Sequence, residues 1–134
     1  MRTIKYLIVH ATGGRPTQTI ADLNAEFKKK GWKNPGYHYV IKRDGSIIQL
    51  LDVEKVSNGV KGVNSKSVHI AYIGGVDEQL KTIDNRTTSQ KKALLALLKL
   101  LKRKYPTAKI CGHNDFESGK ACPCFDAKKE YCSV

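Results

Sequence analysis

Two histidines and a cysteine are the first residues able to do chemistry together. His10 follows the run Thr3–Val9 (TIKYLIV), His113 follows Ala108–Gly112 (AKICG), and Cys122 comes nine residues later within Lys120-Ala121-Cys122-Pro123. Two imidazoles and a thiolate occupy three corners of a zinc tetrahedron and leave the fourth for water or substrate, as catalytic zinc sites do. The same region offers a rival grouping: Cys111, His113, Cys122 and Cys124 could close a Cys-rich shell around a metal and make a binding module. That grouping leaves His10 unused. Spacing alone keeps both open.

Such groups need elements that end where they stand. Thr3–Val9 is β-branched and aliphatic and reads as a buried strand ending at His10. Thr19 and Asp22 have capping-box spacing, Ile20, Leu23 and Phe27 share a helical face, and Gly31 supplies the stop. Gly36–Lys42 and Ser46–Leu51 flank Arg43-Asp44-Gly45, a strong hairpin signal. Ser57–Lys66 reads as loop, Ser67–Ile73 as a strand stopped by Gly74-Gly75, and Gly75–Thr87 as a surface loop. A second capping box, Thr87 with Gln90, opens a helix with Leu94, Leu97, Leu98, Leu101 and Tyr105 along one stripe, closed by Pro106. Ala108–Cys111 is a short strand delivering Gly112-His113, and Asp126–Tyr131 a last helical turn or two. This α/β order is satisfied most economically by a central mixed β-sheet with helices packed on it. Strand ends feeding loops are where such sheets place ligand groups.

The chain has 134 residues, 40% of them hydrophobic and 27% charged, which predicts a single domain over residues 1–134 and excludes disorder or a fibrous repeat. Lys and Arg number 24 against 12 acidic residues, a formal charge of +12 that attracts polyanions: nucleic acid, anionic lipid or acidic cell-wall polymers. Lys28–Lys30 and the set Lys91, Lys92, Lys99, Lys102, Arg103 and Lys104 read as wet helix faces. No RNP, zinc-finger or helix-turn-helix signature accompanies the charge, so nucleic acid is not an expected partner. No run reaches the ~18 apolar residues of a membrane span. The opening segment is too short for a secretory core, which predicts cytoplasmic synthesis and action elsewhere only after release or export by another system. All four cysteines lie beyond residue 110, which favours reduced thiols, a metal site or both.

The motifs resemble those of the type 2 N-acetylmuramoyl-L-alanine amidases, the family of short phage endolysin amidases related to peptidoglycan recognition proteins. The matching segments are IVHAT (8–12), GYHYVIKRDG (36–45), IAYIGG (70–75), GHND (112–115) and KACPCFD (120–126), in the family's order and across nearly the whole chain. The resemblance implies the corresponding fold. It also implies a zinc hydrolase, one ion per chain, cutting the amide between the lactyl group of N-acetylmuramic acid and L-alanine of the peptidoglycan stem. Its metal ligands map onto His10, His113 and Cys122, its catalytic tyrosine onto Tyr37, and its lysine onto Lys120. A tyrosine hydroxyl and a lysine ammonium beside the metal suit a developing oxyanion. Asp115 and Glu117 are candidate bases.

Strand alternation predicts that Tyr37 and His38 do not both face the metal, that Tyr39 shares Tyr37's face, and that His38 is not a ligand. His69 stands where relatives carry a small residue, Asn58 where they often carry a histidine, and Cys124 where they carry a small residue. Asn58, His69 and Asp115 are read as substrate contacts, with His69 otherwise structural. A monomer is expected, with peptidoglycan as partner and no membrane insertion. A noncatalytic peptidoglycan-binding protein of the same fold is the alternative. Such relatives typically lose the thiolate ligand, and Cys122 is present.

Overall fold

The fold, a computed structural model, is described for residues 2–134. Five strands form one sheet: β1 (Tyr6–Ala11), β2 (Tyr39–Ile41), β3 (Ile47–Gln49), β4 (Ser67–Tyr72) and β5 (Lys109–Gly112), in the order β3-β2-β4-β1-β5. All neighbours are parallel except the β2–β3 hairpin. Three helices accompany them: α1 (Ile20–Lys29), α2 (Thr88–Lys104) and the single turn α3 (Ala127–Glu130). This is the mixed-sheet α/β architecture that the order of elements requires.

Both long helices begin where their capping boxes stand. Thr19 Oγ1 accepts from Asp22 N–H while Asp22 accepts from Thr19 N–H, and Thr87 and Gln90 repeat the exchange. Each box satisfies two helix-end donors and is worth about 1 kcal/mol. Along α2, Leu94, Leu97, Leu98 and Leu101 are buried against Leu7, Val9, Ile70 and Tyr72 of β1 and β4. Burying each of these leucines contributes roughly 1.5–3 kcal/mol. On the opposite sheet face α1 buries only Leu23 and Phe27, against Val40 and Ile73.

β1 is displaced from its expected position. It runs through His10 and Ala11, which pair with Ala71 and Tyr72, because the parallel register with β4 continues that far. His10 therefore lies inside a strand, with Ile8 on the face opposite Leu7, Val9 and Ala11. β2 begins only at Tyr39, so alternation does not extend back to Tyr37. Tyr39 packs in the α2 core and Tyr37 in the α1 cluster, on opposite faces, contrary to expectation. The Gly75–Thr87 segment is partly packed: Val76 bridges Thr82, and Arg86 is buried between Asp84, Glu130, Tyr131 and the Phe125 ring.

Candidate active site

The central position of β1 gathers the site. Pairing of Val9 with Gly112 sets His113, the first residue of a 3-10 turn, beside His10, with ring centroids 5.0 Å apart. The loop after that turn returns Cys122 to the end of β1. Cys122 Sγ accepts from Ala11 N–H at 3.1 Å and lies 3.7 Å from His10 Nδ1. Asn114 N–H to Cys122 O at 2.9 Å and Tyr72 O–H to Pro123 O at 2.6 Å are among the bonds that hold this segment. One donor atom from each of His10, His113 and Cys122 lies within 4.8 Å of the others, the only such group of three among the described residues.

The donor set fits a zinc ion. His113 Nε2 is buried with no hydrogen-bond partner, although Glu117 Oε1 lies 3.3 Å away out of alignment. A buried unpaired imidazole nitrogen beside another imidazole and a thiol is costly unless something accepts its lone pair or proton. The rival Cys-rich shell does not assemble. Cys111 Sγ points to Lys109 O at 3.8 Å and Cys124 Sγ to Gly75 O at 3.3 Å, and all four cysteines are free.

Burial dominates the electrostatics. It drives His10 well below the ordinary histidine value, helped by His69 and His113, and pushes His69 down to about 3. Both rings are neutral at neutral pH. Burial pushes the Cys122 thiol up to about 12, against the opposing pull of Ala11 N–H and Lys120, so the sulfur keeps its proton until a cation displaces it. The Tyr37 hydroxyl is raised by burial first, then by Cys122 and Glu26, and remains a neutral donor.

A cleft of about 420 Å³ opens above this cluster. Tyr37 stands in its wall, its ring 5.1 Å from that of His10 and edge-on to Phe27. Lys120, Lys61 and Lys30 give the cleft a positive lining, with Lys30 also 4.7 Å over Trp32. Asn58 lines the cleft and donates from Nδ2 to Asn34 O at 2.8 Å. Glu117 lines it as well.

Asp115 and His69 do not line the cleft. Asp115 Oδ2 accepts from Gly112 N–H at 2.8 Å, capping its own turn outside the cleft lining. His69 is fully buried, with both ring nitrogens engaged inside the protein. His38 is also buried and no part of the donor cluster. Its Nε2 donates to Lys55 O at 2.7 Å and its Nδ1 accepts from His69 N–H at 3.0 Å. Sequence reasoning missed Asn64, which bonds to His69. Nothing in the Gly, Asn and Ser composition of residues 57–66 distinguishes it.

This sheet and its helices have the fold of N-acetylmuramoyl-L-alanine amidases and peptidoglycan recognition proteins. The chain belongs to the N-acetylmuramoyl-L-alanine amidase family, whose profile matches residues 1–125, and so to the peptidoglycan hydrolases. The endolysin of Enterobacteria phage T3 is 34% identical over 129 residues, covering 95% of this chain and 85% of that protein. An endolysin amidase from Clostridium intestinale URNW superposes with a TM-score of 0.83 at 26% identity, over 97% of this chain and 81% of that one. Drosophila PGRP-LB shares the fold, with a TM-score of 0.78 at 20% identity over 99% and 82% of the two chains.

Proposed function

We propose that this protein is a zinc-dependent amidase that hydrolyses the bond between the lactyl group of N-acetylmuramic acid and L-alanine of the stem peptide, acting as a single-domain monomer on peptidoglycan. His10, His113 and Cys122 would hold one zinc per chain. The observation that carries this reading is the N/N/S donor cluster with its unpaired His113 nitrogen, two of whose members, His10 and His113, line a cleft in a chain of this family. Bound zinc supplies Lewis acidity and an activated water at neutral pH.

The chain's own groups do the rest. Tyr37, held neutral by burial, offers its hydroxyl to the oxyanion of the tetrahedral intermediate, and Lys120 offers an ammonium from the cleft wall. Glu117, which lines the cleft while Asp115 caps its own turn, would be the carboxylate that takes a proton. The lysines of the cleft and helix faces draw the protein to an anionic wall polymer. Its site of action would be the cell wall.

Mass spectrometry of peptidoglycan digests tests the reading. Stem peptides with a free L-alanine amino terminus, matched by intact glycan and lost on chelation of the metal, are expected. Cuts within the stem or glycan would overturn it. Binding without any cleavage would make the protein a recognition module.

A further inference from the structure

Behind His10 runs a row of hydrogen bonds whose direction is set from one end. Val60 N–H donates to Asn64 Oδ1 at 2.8 Å, which fixes the orientation of that amide, because a backbone N–H can only donate. The same oxygen lies 2.9 Å from His69 Nε2, so this nitrogen carries the proton. A neutral imidazole then presents Nδ1 as an acceptor. That Nδ1 lies 2.8 Å from His10 Nε2, so His10 donates from Nε2 and keeps its lone pair on Nδ1, the nitrogen 3.7 Å from Cys122 Sγ.

The surroundings grip the middle of the row. His69 N–H is tied to His38 Nδ1, whose own ring is fixed by Lys55 O. Gly59 lies against the face of His69, where a Cβ would collide with three ring atoms. Its lack of a side chain is needed for this close approach.

We propose that His69 and Asn64 are positioning residues that hold His10 in the tautomer and orientation with its Nδ1 lone pair turned to the zinc. Metal-binding histidines usually lean on a carboxylate or backbone carbonyl. Here an uncharged imidazole backed by an amide orients the ring without placing a negative charge behind it. The inference rests on the reading of His10 as a ligand.

Two measurements on the full chain separate the inference from that reading. Histidine side-chain nitrogen NMR of the metal-free protein should show His10 protonated on Nε2. His69→Phe and Asn64→Leu should lose this single tautomer, while Asn64→Asp, which keeps the acceptor oxygen, should restore it. Zinc competition against a chromophoric chelator should show a 10- to 100-fold loss of affinity in the first two variants and near-parental affinity in the third. Circular dichroism identifies folded variants, and Asn64→Leu carries the test if His69→Phe does not fold. His10 protonated on Nδ1 in the parent, or parental zinc affinity in folded Asn64→Leu, would overturn the proposal. A parent with the expected tautomer but no zinc binding would overturn the ligand reading and, with it, the tautomer's purpose.

Discussion

The two faces of the sheet differ in what they bury. Toward α2 the face is almost wholly aliphatic, with Leu7, Val9, Ile70, Leu94 and Leu98 closely packed. Toward α1 the apolar cluster is small, and beside it stand His10, His38 and His69, buried as neutral rings tied to one another, to the backbone and to Asn64, with His10 Nδ1 left facing Cys122. The same strands build both faces: in β1, Leu7, Val9 and Ala11 anchor while Ile8 and His10 look the other way. The α2 face supplies most of the apolar burial, which lets the other face carry polar groups in fixed orientations.

The sharpest test of this division is a pair of opposite failures. Cys122→Ala should abolish zinc binding and amide cleavage while leaving the urea midpoint of the metal-free protein close to that of the metal-free parent. Leu98→Ala should cost about 2–5 kcal/mol of stability. Its folded fraction should retain zinc and cleave at the parental rate. Comparable loss of metal-free stability in both variants would erase the distinction.

Within the polar face a finer line separates holding a metal from acting on substrate. Tyr37→Phe and Lys120→Ala should each keep one zinc per chain and lose roughly 10²–10³ in turnover, the range for removing one oxyanion donor. Parental turnover in either variant would return that residue to the cleft wall as packing or solvated charge.

The smallest effect is on pH dependence. Burial holds His38 down to about 4 and His69 to about 3, against 6.5 for an ordinary histidine. The unfolded chain therefore takes up protons below pH 6.5 that the folded chain refuses. Stability is full above that value and is lost as pH falls toward 4 and then 3. Urea midpoints of the metal-free protein should fall between pH 7 and pH 4.5, and His38→Gln should flatten the slope. A flat parental profile would contradict neutral burial.

What was legible in the sequence was local. The Thr19/Asp22 and Thr87/Gln90 boxes and the Asp44-Gly45 hairpin depend on residues a few positions apart, and they stand where their spacing places them. The grouping of His10, His113 and Cys122 rests on resemblance, since spacing leaves a Cys-rich shell open as well. Period-two alternation puts Tyr39 on Tyr37's face only if it runs back into residues that pair with no strand, and β2 begins at Tyr39. Asp115 was missed as a turn cap because a short acidic side chain reads alike whether it serves its own backbone or a ligand. His69 and Asn64 were illegible for another reason: His10 meets His69 through strand pairing across 59 positions, which no local pattern encodes.

The separation of 112 positions between His10 and Cys122 also bears on synthesis. β1 leaves the ribosome first yet is the strand on which everything converges. It waits for β4, then β5, then the loop that brings the thiol back to Ala11. A nascent chain stopped anywhere before residue 122 holds at most two of the three donors. The cluster is thus complete only once translation has passed that point.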